Sequence, residues 1–211
     1  MLSQRFFVDN FHRLYYSKKN QTWKNTYWCG EFVRKCPFDL WVYQEIICEV
    51  KPDLIVECGA GKGGSALFFA HMLDIIKKGK VISIDVQDFE NMAMHKRIQR
   101  LKGSSVSSKT IEIVKSEIKG TDTVMVVLDS DHRQEHVEAE LELYSDLVSV
   151  GSYLIVEDSH MNGHPVNKRF GKGPFEAIES FLLRSNKFVP DKNREKFMMT
   201  FNPLGYLKRV N

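Results

Sequence analysis

"DLIVECGAGKGGSALFFAHMLDIIKK", residues 53–78, decides the fold. Leu54, Ile55 and Val56 begin a short apolar, β-branched run, the pattern of a strand buried on both faces. Gly59, Gly61, Gly63 and Gly64 follow, with Lys62 among them. From Gly63 onward Leu67, Ala70, Leu73 and the Ile75/Ile76 pair recur at helical spacing, and Lys77 and Lys78 suit the negative end of a helix dipole. A strand that passes through a glycine loop into a helix is the opening unit of a doubly wound sheet. Such sheets hold ligands at that loop, where the helix N-terminus adds positive dipole.

The pattern continues outward. Residues 80–86, 122–129 and 152–158 read as further strands, and 132–149 as an amphipathic helix whose inner face is Val137, Leu141, Tyr144 and Leu147/Val148. Residues 105–120 fit either a strand or a helix. Parallel strands need a crossover helix, so 106–119 is assigned as that helix and 97–103 becomes the third strand. After a helix near 173–185 come "KFVPD" (187–191), "KFMMTFN" (196–202) and "GYLKRV" (205–210), read as an antiparallel hairpin with "NPLG" as its turn. The expected fold is α/β: a doubly wound, mostly parallel, Rossmann-like sheet over residues 51–211 that ends in an antiparallel hairpin. Residues 1–50 are rich in aromatics and read as a helical or irregular cover.

Composition removes several classes. A length of 211 residues suits one domain, and a net charge of +3 from scattered lysines and arginines offers no nucleic-acid patch. Cys29, Cys36, Cys48 and Cys58 form no Cys-x-x-Cys pair, so mostly buried, reduced thiols in the cytoplasm are expected. No run approaches a membrane span, and the N-terminus has no signal-peptide core. A homo-oligomer is compatible with the sequence, which sets no stoichiometry.

Three ligands compete for the loop. A Walker A loop needs Gly-Lys-Ser/Thr in a register absent here. Gly59-x-Gly61-x-x-Gly64 matches the dinucleotide fingerprint, with Asp85 about 20 residues on for a ribose hydroxyl, which keeps an NAD(P)-linked oxidoreductase as the alternative. Glu57, two residues before the first glycine, resembles the acid of motif I in class I S-adenosylmethionine (SAM) methyltransferases. In that family it faces the methionine ammonium. A carboxylate there hinders a pyrophosphate and suits a cation.

The fourth and fifth strands end in "LDSDH" (Asp129, Asp131, His132) and "VEDSH" (Glu157, Asp158, His160). Carboxylates gathered at one rim repel, and a divalent cation relieves that cost; an all-oxygen set suits Mg2+. The competing reading makes these acids helix caps, with Asp131 the best placed.

Here the resemblance becomes broad. "NTYWCGEFVRKCPFDLWVYQEII", "KPDLIVECGAGKGGSALFFAHML", "VMVVLDSDHRQEHVEAELELY", "GSYLIVEDSHMNGHPV", "GKGPFEAIESFL" and "REKFMMTFNPLGYLKR" resemble the cephalosporin hydroxylase / rhamnosyl O-methyltransferase family from about residue 22 to the end. The resemblance implies a class I methyltransferase fold, with SAM near Glu57, Gly59, Gly61, Gly63, Ser65, Asp85 and Asp129. It also implies Mg2+ held by Asp129 or Asp131 with Glu157 and Asp158. The implied reaction is methyl transfer to a hydroxyl of a small molecule or sugar. His160, His164 and Lys168 are the candidate bases, and Trp28, Phe38 and Trp41 the candidate walls of the acceptor pocket. Lys62 departs from the small or polar residue expected in relatives. A cofactor-binding protein without turnover is the non-enzymatic alternative.

Overall fold

Residues 53–78 form the expected strand, loop and helix in the computed structural model, which describes residues 3–17, 19, 21–87 and 92–211. Positions 1, 2, 18 and 20 of the N-terminal block lie outside the described residues. Helix α1 (Gln4–Tyr15), a two-stranded hairpin of β1 (Tyr27–Trp28) and β2 (Glu31–Phe32), and α2 (Pro37–Val50) come first. Then follow β3 (Leu54–Cys58), α3 (Gly64–Ile75), β4 (Lys80–Asp85), β5 (Ile98–Lys102), α4 (Ser108–Ser116) and β6 (Val124–Leu128). The chain ends with α5 (Gln134–Tyr144), β7 (Tyr153–Val156), α6 (Pro174–Arg184), β8 (Phe188–Pro190) and β9 (Tyr206–Arg209).

The ambiguous stretch resolves as topology required. Ser107 caps α4 by accepting the Thr110 N–H at 3.2 Å, and β5 pairs in parallel with β4. The seven-stranded sheet has the order β5-β4-β3-β6-β7-β9-β8. Its first five strands are parallel, and β9 runs antiparallel to both β7 and β8.

Period-two alternation sorts the core into two layers. Leu54, Val56, Val126 and Leu128 face α4, α5 and α6 through Val114, Leu141 and Ile178. Ile55, Met125, Val127 and Ile155 face α2 and α3 through Tyr43, Ile47, Phe69 and Leu73. Both faces are covered, which explains why these strands read as unbroken apolar runs. Glu57 follows Ile55 on the α2/α3 face and is fully buried there.

Three details differ from the sequence reading. "KFMMTFN" is no strand; the terminal hairpin is β8 with β9. Buried Asp39 accepts the Thr200 hydroxyl at 2.5 Å, the Phe201 N–H at 2.8 Å and the Tyr206 hydroxyl at 2.9 Å, taking a donor that a ladder would need. Asp131 does not cap α5. Arg133 occupies the cap position and donates its N–H to Asp131 at 3.0 Å. Two of the four free thiols, Cys29 and Cys48, are exposed. No described helix is long and apolar enough to cross a membrane.

Candidate active site

β3 and β6 are neighbours, while the chain leaves β3 toward β4 and β5 on one side and returns through β6 and β7 on the other. The sheet order therefore reverses between β3 and β6, the place where doubly wound sheets open a crevice. The Asp129 N–H donates to the Cys58 carbonyl at 2.8 Å, locking the two strand ends together. Gly59 sits in this junction with φ +95°, and a Cβ there would lie 2.0 Å from the Asp129 carbonyl oxygen. Its glycine is thus required by backbone packing. Gly61 differs: φ is +55°, and a Cβ would meet nothing within 4 Å.

The crevice is a chamber of about 620 Å³, within the range of small-ligand sites. Gly59, Gly61, Ser65, Asp85, Asp129, Asp131 and Asp158 line it, together with His132, His136, Tyr16, Trp23, Phe32 and Phe201. Asp85 Oδ2 accepts the Gly61 N–H at 3.0 Å and Oδ1 accepts the Gln87 N–H at 2.8 Å, fixing the carboxylate at the chamber edge. Lys62 is an exposed residue of the same lining. Gly63, which precedes α3 in the cap position with φ +84°, does not reach the lining.

Glu57 stands behind the wall. Ser83 donates to its Oε2 at 2.6 Å, while Oε1 has no hydrogen-bond partner among the described residues. Burial raises its pKa, opposed by the charge of Lys35 and by Ser65 and Ser83. Lys35 was invisible to sequence reasoning. Its side chain is 3% exposed, and its ammonium contacts Asp129 and lies 2.6 Å from Glu157 Oε1. The Lys35 pKa is raised: burial works against the charge, but Asp129 and Glu157 outweigh it. Burial pushes Glu157 up to about 8 despite Lys35. Burial likewise raises Asp129, again against Lys35.

Asp158 behaves oppositely. Burial works to raise it, but His132 at 3.0 Å and a hydrogen bond from His160 hold it well below the carboxylate range. His132 is pushed up to about 9, because attraction to Asp158 overcomes its burial. Asp158 also has φ +54°, a left-handed conformation that aspartate tolerates and that aims the side chain at the rim. Asp129, His132 and Asp158 each offer a ligand atom within 4.8 Å of the others. Asp131 reaches the same chamber but pairs with Arg133 Nε, 3.0 Å from both carboxylate oxygens.

None of the three candidate bases lines this chamber. His160 is fully buried, with Nδ1 2.8 Å from His12 Nε2, Nε2 3.1 Å from Asp158 Oδ1, and its ring 4.3 Å from that of Phe201. His164 stacks on Phe175 at 3.8 Å and lies 3.1 Å from Glu176. Lys168 lines a neighbouring cavity. The aromatic walls also differ from expectation. Trp28 packs on Phe68 and donates to His71 at 2.9 Å, Phe38 stacks on Phe197, and Trp41 is exposed.

A doubly wound sheet with an antiparallel terminal pair, a glycine loop after its central strand and an acid ending the next strand defines the class I methyltransferase fold. Residues 20–210 match the family described as Rhamnosyl O-methyltransferase/CmcI, and the chain belongs to that family. It is 40% identical to the Rhamnosyl O-methyltransferase of Mycobacterium leprae, over 96% of this chain and 90% of that protein. It is 38% identical to the Rhamnosyl O-methyltransferase of Mycobacterium tuberculosis, over 96% and 84%. Among solved structures, CmcI in its apo form superposes with a TM-score of 0.69 at 22% identity, over 89% of this chain and 77% of that one. CmcI with Mg and SAM gives 0.68 at 22% identity, over 89% and 78%.

Proposed function

We propose that the protein transfers a methyl group from SAM to a sugar hydroxyl with the assistance of Mg2+. The observation that carries this reading is one chamber lined both by the glycine loop with Asp85 and by the acids Asp129 and Asp158. The residues fit both groups. Gly61 leaves open space and Asp85 is fixed at the edge for ribose hydroxyls, while Glu57 lies buried behind that wall with one oxygen lacking a hydrogen-bond partner among the described residues. Asp129 and Asp158 supply oxygen donors of the kind a hard cation takes.

Bound SAM supplies an electrophilic methyl group, and bound Mg2+ lowers the pKa of a hydroxyl that it holds. The chain does the rest. Asp129 and Asp158 would hold the ion, with Lys35 bridging Asp129 to Glu157. Asp131, spent on Arg133, stays outside that set. His132 is a nitrogen donor, which suits Mg2+ less well, and it lies on the chamber wall between the two aspartates. Its pKa, pushed up to about 9, keeps it protonated at neutral pH, so it orients Asp158 rather than taking the acceptor's proton. His160 positions Asp158 from behind. Gly59, Gly61 and Ser65 shape the cofactor end, and holding both partners in one chamber supplies much of the rate. Tyr16, Trp23, Phe32 and Phe201 exclude water around the acceptor.

Residues 1–50 then serve as cover for a SAM-binding domain at 51–211, with α2 also packing on the sheet. Because the relatives at 38–40% identity are rhamnosyl O-methyltransferases, a rhamnoside is the first acceptor to try. We place the enzyme in the cytoplasm, acting on a small-molecule acceptor. Calorimetry with SAM and with NAD, followed by methyl transfer to a rhamnoside with and without Mg2+, tests the reading. NAD binding without SAM binding sinks it.

A further inference from the structure

A second cavity, of about 420 Å³, lies beside the chamber between α1 and the loop at 165–168. The two share Tyr16 and Trp23 as lining. These rings stack with centroids 4.7 Å apart and planes 11° apart, so an aromatic pair stands between the cavities.

Their linings differ in charge. The chamber carries four aspartates alongside Arg34, Lys62, His132 and His136. The second cavity has no acid among its described lining and three cations: Arg13, Lys24 and Lys168. Arg13 donates Nε to the Pro165 carbonyl at 3.1 Å, and its nearest carboxylate, Asp9, is 3.9 Å away. Lys24 lies 5.0 Å from the centre of the Trp23 ring. Among the described residues, neither Lys24 nor Lys168 forms an ion pair. Three cations around a concave, acid-free space raise the local potential and select an anion. Asn167 in the same lining adds an amide donor. The half-buried Tyr16–Trp23 pair, shared by both linings, offers apolar surface to a sugar ring.

We propose that this cavity is a subsite for a phosphate group carried by the acceptor. The sugar spans the Tyr16–Trp23 pair, its reacting hydroxyl in the acidic chamber and its phosphate among Arg13, Lys24 and Lys168. A carboxylate fits less well, since three cations exceed its single charge. The orientation of the sugar rests on the methyl-transfer reading; the anion site itself does not.

The test is direct binding, without turnover. Calorimetry at low salt compares a hexose 1-phosphate, a hexuronate and a neutral methyl hexoside on the wild-type chain and on Lys24→Gln/Lys168→Gln. Two charge-assisted contacts predict roughly tenfold tighter binding of the phosphate than of the neutral sugar. The hexuronate should gain less than about threefold by the same arithmetic. In the double variant the phosphate preference should collapse, while SAM binding stays unchanged. A wild-type chain without the preference, a variant that retains it, or a uronate that matches the phosphate overturns the proposal. A chain that binds the phosphate but not SAM sinks methyl transfer and leaves the subsite standing. A chain that binds SAM and methylates neutral glycosides with no phosphate preference sinks the subsite alone.

Discussion

The Lys35 ammonium lies 2.6 Å from Glu157 Oε1 and also contacts Asp129, so one buried cation joins the ends of β6 and β7. A buried and a half-buried carboxylate at the ends of adjacent strands would otherwise repel. The pair is a case in which removing one partner is costly, because the other charge stays buried. Lys35→Met should therefore destabilise the chain by about 3–5 kcal/mol without Mg2+. Added Mg2+ should recover part of that loss by supplying positive charge at the same acids. Urea denaturation of both proteins, with Mg2+ and with chelator, checks this. Equal stability of variant and wild type in chelator would remove Lys35 from the account.

Asp131 and Asp158 line the same chamber but have different partners. Asp158 faces His132 and His160, whereas Asp131 is neutralised by the Arg133 guanidinium. Asp158→Asn should weaken Mg2+ binding by about 10–100-fold and lower kcat with it, on the scale seen when metal-site shells are disturbed. Asp131→Asn should change Mg2+ affinity by less than about threefold, the scale of a screened surface charge. Mg2+ titrations followed by calorimetry separate the two. A larger effect at Asp131 would move the ion site.

Most of the sheet is readable in the sequence because both its faces are covered. Leu54–Cys58 and Val124–Leu128 are unbroken apolar runs, and the helices between them keep a 3.6-residue period. The acids of the site are readable because each apolar run ends abruptly in them. What surrounds those acids is not, because the contacts come from far along the chain. Lys35 meets Asp129 across 94 residues, and His12 meets His160 across 148. A histidine two residues after an acidic strand end reads as a base. Only the arrival of His12, Tyr16 and Phe201 seals His160 away from the chamber. "KFMMTFN" reads as a strand because an apolar run precedes the NPLG turn, and Asp39, 162 residues from Phe201, diverts its backbone.

The stability of the metal-free chain should fall as pH rises from 7 to 9.5. The folded pKa of His132 is pushed up to about 9 from its ordinary 6.5. A raised histidine contributes stability that is fully present below 6.5 and is lost as pH rises through about 9. Its partner Asp158 is depressed, so that contribution is present above the ordinary carboxylate range and is lost in acid. Glu157, raised to about 8, adds a loss that begins in the ordinary carboxylate range and is complete by about 8, since it must ionise while buried. The slope from each group is at most about 1.4 kcal/mol per pH unit. Thermal melts in chelator across this range should show the decline. His132→Gln should flatten it, and saturating Mg2+ should reduce it. A wild-type chain whose stability rises toward pH 9 would contradict the assignment.

Gly59 and Gly61 are two residues apart in one loop, and their replacement should fail in different ways. A Cβ on Gly59 would lie 2.0 Å from the Asp129 carbonyl oxygen, at φ +95°. The strand junction cannot widen there without breaking the hydrogen bond from the Asp129 N–H to Cys58. Gly59→Ala should thus cost several kcal/mol, of order 3 or more, and disturb the Asp129 acid with it. A Cβ on Gly61 would point into open space at φ +55°, so the strain alone should cost about 1 kcal/mol. That methyl group faces the chamber, so Gly61→Ala should leave a folded protein with weakened SAM binding. Denaturation curves paired with SAM calorimetry distinguish the two. A Gly61→Ala chain that melts like Gly59→Ala, or that binds SAM as the wild type does, would show that the loop does not divide its work between packing and ligand.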